Sequence, residues 1–202
     1  MLYTGGTKMN FIEMIKKRRS VYNLDKQLPI FEDKMLEIVN DAVRYVPDAF
    51  NMKSQRVLVI TGRKNDEFWN AVYDTLVVAS GGRFSRDRTD SFMEGYGTIL
   101  YFYDRDVVAE YKKKYALYAD KFHDWVMQSN AMLQFAIWTA FANVGIGASL
   151  QHYNPAIDDM VQKMFNLPES WALVAEMPFG GIAAAPEPKP HEDVLARVKI
   201  VR

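Results

Sequence analysis

From Ala131 to Leu150 the chain runs for twenty residues without a charged side chain, and this stretch limits the fold more than any other. A run of that length can span a membrane. It can also form a helix that is apolar all round, at the centre of a globular domain or in a dimer interface. Gln134, Asn143 and the break at Gly145-Ile146-Gly147 lie within it, and no basic flank marks one side, so the buried helix is the reading adopted. A chain of 202 residues, 49% apolar and 25% charged, is large enough to enclose such a helix in a full core. A single domain over residues 10–202 is expected.

The other elements read off in chain order. Asn10, with Glu13 three residues on, forms a capping box that starts a helix carrying Phe11, Ile12 and Ile15. Met35, Leu36, Val39 and Val43 recur at helical spacing and predict a helix from Glu32 to Tyr45, ended by Pro47. A third helix, Asp66 to Ala79, turns Phe68, Trp69, Val72 and Leu76 inward. The segments Arg56–Gly62, Thr98–Tyr103 and Trp171–Met177 are short apolar runs of the kind buried on both faces of a sheet, and Val194–Val201 is also strand-like. Arg83–Asp90 is dense in charge and reads as a mobile surface loop; its arginines either clamp a phosphate or are simply solvated. Val107–Leu150 reads as strongly helical in two parts with different faces, the second being the uncharged run and the first carrying Tyr111, Tyr115, Tyr118 and Phe122 on one face, where they either pack or cover a flat ring. Another helix is expected after Pro155, to about Phe165. Helices interleave with strands, which indicates a central sheet wrapped by helices, an α+β arrangement.

Twenty-five basic residues balance twenty-five acidic ones, so no global field points to nucleic acid or to an anionic membrane, and any anion site must be local. The absence of cysteine excludes disulfides, iron-sulfur clusters and thiol nucleophiles, and a cytoplasmic protein is the simplest inference. Residues 1–9 are read as a disordered leader; they lack the pattern of a signal peptide, and Met9 is a candidate natural start. His123, His152 and His191 are far apart, without ligand spacing, so no metal site is expected. The Gly145-Ile146-Gly147 segment lacks the third glycine of a dinucleotide fingerprint and follows a helix, not a strand. The local anion candidate is Arg18-Arg19-Ser20, at the end of the first helix. Two guanidinium groups and a hydroxyl form a fork suited to a phosphate monoester, although basic residues there also complement a helix dipole.

Taken in order, Arg18-Arg19-Ser20, the proline-led loop with Asn51 before a buried strand, the long apolar helix ending in Gly145-Ile146-Gly147-Ala148, Ser149-Leu150-Gln151-His152-Tyr153-Asn154-Pro155, and Gly180-Gly181 followed by Pro186 to Lys189 resemble the nitroreductase family of flavoenzymes. The likeness runs from about Asn10 to His191, and it is to the compact subgroup of fungal fatty-acid-repression nitroreductases and their bacterial relatives. It implies a mostly antiparallel sheet in an interlocked homodimer, with one flavin mononucleotide (FMN) in each of two interfacial sites. By the same resemblance, Arg18, Arg19 and Ser20 hold the flavin phosphate and ribityl end, Lys189 reaches that phosphate, and His191 lies nearby. Pro47, Asp48, Ala49 and Asn51 match the loop that the partner subunit lays along the flavin. Leu150, Gln151, His152 and Tyr153 match the turn beside flavin N5, with His152 the candidate proton donor and no other catalytic residue named.

The implied chemistry is ping-pong hydride transfer from NADH or NADPH, through N5, to a nitro-aromatic, a quinone or a similar small electrophile. In such a cycle the protein positions and tunes the cofactor. Tyr115, Tyr118, Phe122, Arg83 and Arg86 are the candidate pocket residues, with Arg83, Arg86 or Arg88 able to favour NADPH. Tyr22 stands where many relatives carry a lysine, and Lys53 where many carry glutamine, so either Lys53 replaces the missing charge from another direction or nothing does and the reduced flavin is less stabilised. The alternative is a flavin-binding sensor or carrier without turnover, or a structural dimer on the same scaffold.

Overall fold

The computed structural model describes residues 10–190 and 192–202, so the leader assigned to residues 1–9 and the proposed role of His191 lie outside the described residues. Helix α1 (Phe11–Lys17) starts as its capping box requires, with Asn10 Oδ1 accepting the Glu13 N–H at 3.0 Å. A two-residue strand β1 (Leu24–Asp25) follows, then α2 (Glu32–Tyr45), which has the expected bounds and buries Met35 and Val39. Next come β2 (Gln55–Thr61), α3 (Arg63–Ala79), α4 (Arg86–Met93), β3 (Gly97–Asp104), α5 (Arg105–Lys114) and α6 (Phe122–Asn143). The chain continues through β4 (Gly147–Ala148) and α7 (Asp158–Phe165) to the long strand β5 (Trp171–Ile182). The strands lie in the order β1-β5-β3-β2, with β4 also beside β5, and every strand pairing is antiparallel.

The uncharged run builds one face of this sheet. Leu133, Ile137 and Phe141 recur every fourth residue on α6 and pack on Ile99, Tyr101, Ala175 and Met177. Each buried side chain of this size contributes about 1.5–3 kcal/mol. The other face carries Phe68, Trp69 and Val72 of α3 and Val161 of α7 against Leu100, Phe102 and Leu173. The polar residues of α6 are partnered within the core: Gln134 donates to Asn130 Oδ1 at 2.6 Å, and Asn130 donates to the Phe102 carbonyl at 3.1 Å. Among the described residues, no helix is long and apolar enough to cross a membrane.

Three expectations are corrected. The charge-dense segment is not all loop, because Ser85 accepts the Asp87 N–H and starts α4, which buries Thr89 and Phe92. The first part of residues 107–150 is not one continuous helix, and the second stops short of Leu150. Tyr115 leaves helical geometry (φ −123°, ψ 57°), a 3-10 turn follows at Ala116–Tyr118, and α6 ends at Asn143 before Gly145 takes φ +87°. Val194–Val201 is no strand; it holds a 3-10 turn at Leu195–Arg197 and stays exposed, since no neighbouring edge pairs with it. Strand β5 also runs past Met177 to Ile182. Gly180 and Gly181 allow this, because a Cβ on either would come within 2.3 Å of Asp25 atoms on β1.

Candidate functional site

At Arg18 the backbone turns from helix to extended (φ −65°, ψ 121°) and runs beside β4, where Ser20 bridges Ala148 and the Val21 N–H donates to the Ala148 carbonyl at 2.9 Å. Trp138 of α6 donates its indole N–H to the same carbonyl at 3.1 Å. That bond fixes the indole as a platform, and the Arg18 guanidinium stacks on it 4.2 Å from the ring centroid. Arg19 reaches the other way and donates to the Glu187 carbonyl at 2.7 Å, two residues before Lys189. Among the described residues neither guanidinium makes an ion pair. Burial, and then the neighbouring Arg19, disfavour the charge on Arg18 and lower its pKa. The fork is thus an uncompensated double cation with its donors directed by packing.

The same strip continues into the turn at residues 149–153. Gln151 exchanges both backbone hydrogen bonds with Glu176 of β5, at 2.7 and 3.0 Å, and its side chain donates to Ser149 Oγ at 3.0 Å. The Tyr153 N–H donates to Glu176 Oε2 at 3.1 Å. Leu150 packs against the α6 core, and the Tyr153 ring sits edge-on to Phe84 and Trp69. Burial lowers the pKa of His152, which leaves its imidazole neutral at pH 7. Burial raises the Tyr153 phenol to about 12, opposed by Arg88 and reinforced by Glu176 and Tyr22. Arg88 itself stacks 5.6 Å from the Tyr22 ring, so Tyr22 belongs to this group.

A second group forms at the loop of residues 47–54. Asp48 Oδ2 accepts both the backbone N–H (2.6 Å) and the hydroxyl (2.8 Å) of Ser54, while the Ala49 N–H donates to Ser129 Oγ of α6 at 3.2 Å. Between these anchors Phe50, Asn51 and Lys53 all take positive φ, at 55°, 52° and 54°. For Phe and Lys this costs roughly 1–2 kcal/mol each. The Phe50 ring offsets part of that cost by inserting among Tyr115, Tyr118, Phe122 and Trp125, with centroids 4.6 to 6.3 Å away. A cavity of about 290 Å³ opens beside the loop, lined by Asp48, Asn51, Lys53, Arg44, Val46 and Leu133 among others.

The candidate residues therefore fall into separate groups on one chain. Arg18, Arg19, Ser20, Tyr22 and residues 150–153 share one strip. Asp48, Ala49, Asn51 and Lys53 lie near Ser129, nine residues before Trp138 on α6 and so about 14 Å away along the helix axis. Tyr115, Tyr118 and Phe122 side with the second group. Arg83 and Arg86 join neither: Arg83 donates to the Ser80 carbonyl, and Arg86 bonds the Asn70 side chain, pairs with Asp90 and stacks on Tyr73. His123 lies edge-on to Tyr103, and among the described residues no cluster of His, Asp and Glu is arranged to hold a metal. Trp138 and Glu176 are site residues that the sequence reading did not name, and Arg88 belongs to this site and not to a loop that clamps a second nucleotide. For Glu176 a signal existed, since it is a lone acid inside the apolar run Trp171–Phe179.

The model of the Nitroreductase family matches residues 15–181 of this chain. In fold, the chain is similar to nitroreductase CinD from Lactococcus lactis, solved in complex with nicotinic acid: TM-score 0.91, 39% identity, with 96% of this chain and 100% of that chain covered. The same Lactococcus protein has been solved with chloramphenicol and with 4-nitrophenol. Nitroreductase FRM2 of Saccharomyces cerevisiae is 28% identical over 182 residues, covering 89% of this chain and 92% of the yeast protein. At the level of fold alone, the chain matches a putative nitroreductase from Exiguobacterium sibiricum, solved in complex with FMN, at TM-score 0.70 and 16% identity, with 98% of this chain and 100% of that chain covered.

Proposed function

The chain belongs to the nitroreductase family, and from that premise we propose that residues 10–202 form one flavin-binding domain of an FMN-dependent oxidoreductase that works as a homodimer. It takes a hydride from NADH or NADPH and passes electrons to a nitro-aromatic, a quinone or a similar small electrophile. The observation that carries this reading is the strip on which two guanidinium groups, without carboxylate partners among the described residues, lead directly into the half-buried turn at residues 149–153. A phosphate monoester satisfies the first and a planar ring the second, so the donor set fits FMN. Chloramphenicol and 4-nitrophenol, bound by the Lactococcus relative, are both nitro-aromatic, which supports the acceptor class.

When bound, FMN supplies the two-electron carrier between nicotinamide and acceptor. Arg18, Arg19 and Ser20, with Lys189 beyond Glu187, would hold its phosphate. The turn at residues 150–153 would support its ring, and Lys53, on the strained loop, would supply a cation that favours the reduced cofactor, where Tyr22 brings only a phenol. One feature supports a dimer: Phe11, Ile12, Phe135, Leu195 and Ile200 stand exposed, apolar area that a second copy would bury while bringing its own loop to the fork.

Purified protein should take up FMN and turn yellow, bleach with NADH or NADPH in the absence of oxygen, and recolour with a nitro-aromatic or a quinone. Failure to take up FMN refutes the cofactor. Uptake without bleaching by either nucleotide makes the protein a sensor or carrier.

A further inference from the structure

Glu176 is fully buried in the middle of β5, opposite Leu100 in the sheet register. It is held unusually closely to the 149–153 turn: its main chain exchanges two hydrogen bonds with Gln151, and its Oε2 takes the Tyr153 N–H. Its Oε1 is buried without a partner, and among the described residues no ion pair includes it. Simple bracing does not require an acid, since an amide would hold the Tyr153 N–H equally well without the cost of an unpaired carboxylate.

We propose that Glu176 is a proton-linked positioning residue: protonated, it fixes the turn without adding charge, and ionised, it sets a buried negative charge beneath the turn that opposes reduction of a cofactor held there. The redox half of this proposal rests on the FMN reading. The surroundings agree. Burial holds the carboxyl up at about 8, with Asp158 of α7 raising it further and the Tyr153 N–H pulling it down. Asp158 is in turn under the influence of Arg105 and Asp159, and the Tyr153 phenol under that of Arg88 and Tyr22. None of these cations pairs directly with Glu176. FMN gains negative charge on reduction, so reduction raises the affinity of Glu176 for its proton. Above about pH 8 one more proton is then taken up per two electrons.

Three measurements test this. Amide exchange at Tyr153 should quicken at least tenfold in Glu176→Ala and stay slow in Glu176→Gln; equal exchange in all three proteins overturns the positioning role. The stability of wild type relative to Glu176→Gln, read by urea unfolding of the protein as purified, should fall as pH rises from 5 to 8, and a difference that does not change with pH overturns the titration. Neither measurement needs a flavin. The midpoint potential of bound FMN should steepen with pH above about 8 in wild type and run straight in Glu176→Gln; matching slopes overturn the redox coupling. Protein that takes up no FMN overturns the cofactor reading and the redox half together, and the first two measurements still decide the turn.

Discussion

Replacing Arg18 with alanine should separate its two jobs. Without a bound phosphate, Arg18 gains from stacking at 4.2 Å on Trp138, but it is also repelled by Arg19 and partly desolvated. A stack of this kind contributes about 0.5–2 kcal/mol, and the repulsion removed with the side chain offsets part of it. Arg18→Ala should therefore unfold within about 1 kcal/mol of wild type in the absence of FMN. With FMN present, the variant loses a charge-assisted hydrogen bond to phosphate, about 1.5–3 kcal/mol, which corresponds to an increase in Kd of roughly 10- to 150-fold. Arg18→Lys should fall between the two, since lysine keeps the charge but loses the fork and much of the stack. Urea unfolding of FMN-free protein and FMN titration followed by flavin fluorescence give the two numbers. A variant that loses several kcal/mol of stability and binds FMN with unchanged affinity would refute the phosphate role and leave the fork a packing element.

Lys53→Ala should lower the midpoint potential of bound FMN while leaving its phosphate contacts intact, and an unchanged potential removes Lys53 from the site. Mixing an Arg18→Ala,Arg19→Ala chain with a Lys53→Ala,Asn51→Ala chain, followed by unfolding and refolding together, should restore up to about a quarter of the intact sites, because only mixed dimers carry one intact fork opposite one intact loop; no recovery places both half-sites within one chain. Phe141→Ala, which empties a fully buried position between α6 and β5, should cost about 3–5 kcal/mol in urea unfolding, and a loss under 1 kcal/mol would mean that the face repacks. Glu176 ionises near 8 when folded against an ordinary 4.5, so its contribution to stability is present below about pH 4.5 and is lost as pH rises to 8. At about 1.4 kcal/mol per pH unit, Glu176→Gln should gain on wild type by on the order of 3–5 kcal/mol across that window, and unfolding curves at pH 5 and pH 8 measure the gain.

Much of this fold was legible because its signals are local and periodic. Met35, Leu36, Val39 and Val43 mark α2, and the uncharged run marks the buried helix that carries the site. The break at Tyr115 was not legible, because no proline or glycine announces it. It depends on Phe50, more than sixty positions earlier, taking a left-handed conformation and filling the space between α5 and α6. Helix α4 was hidden by its charges: Thr89 and Phe92 bury on one side while Arg86, Asp87, Arg88 and Asp90 keep the mean polarity high. In the site, the fork and the turn could be read from residue types in order, whereas Trp138 could not, since its role is set by a single indole bond to Ala148.

That α6 carries both Ser129, which anchors the loop, and Trp138, which anchors the fork, sets a limit on how such a chain can change length. One residue inserted between them would turn one anchor by about 100° relative to the other and shift it by 1.5 Å. In a two-fold dimer the error would appear at both sites at once. Surface segments such as Ser80–Arg83 can gain or lose residues without moving either anchor. The nine-residue interval from Ser129 to Trp138 works as a fixed gauge, and drift in this protein should accumulate everywhere before it reaches that interval.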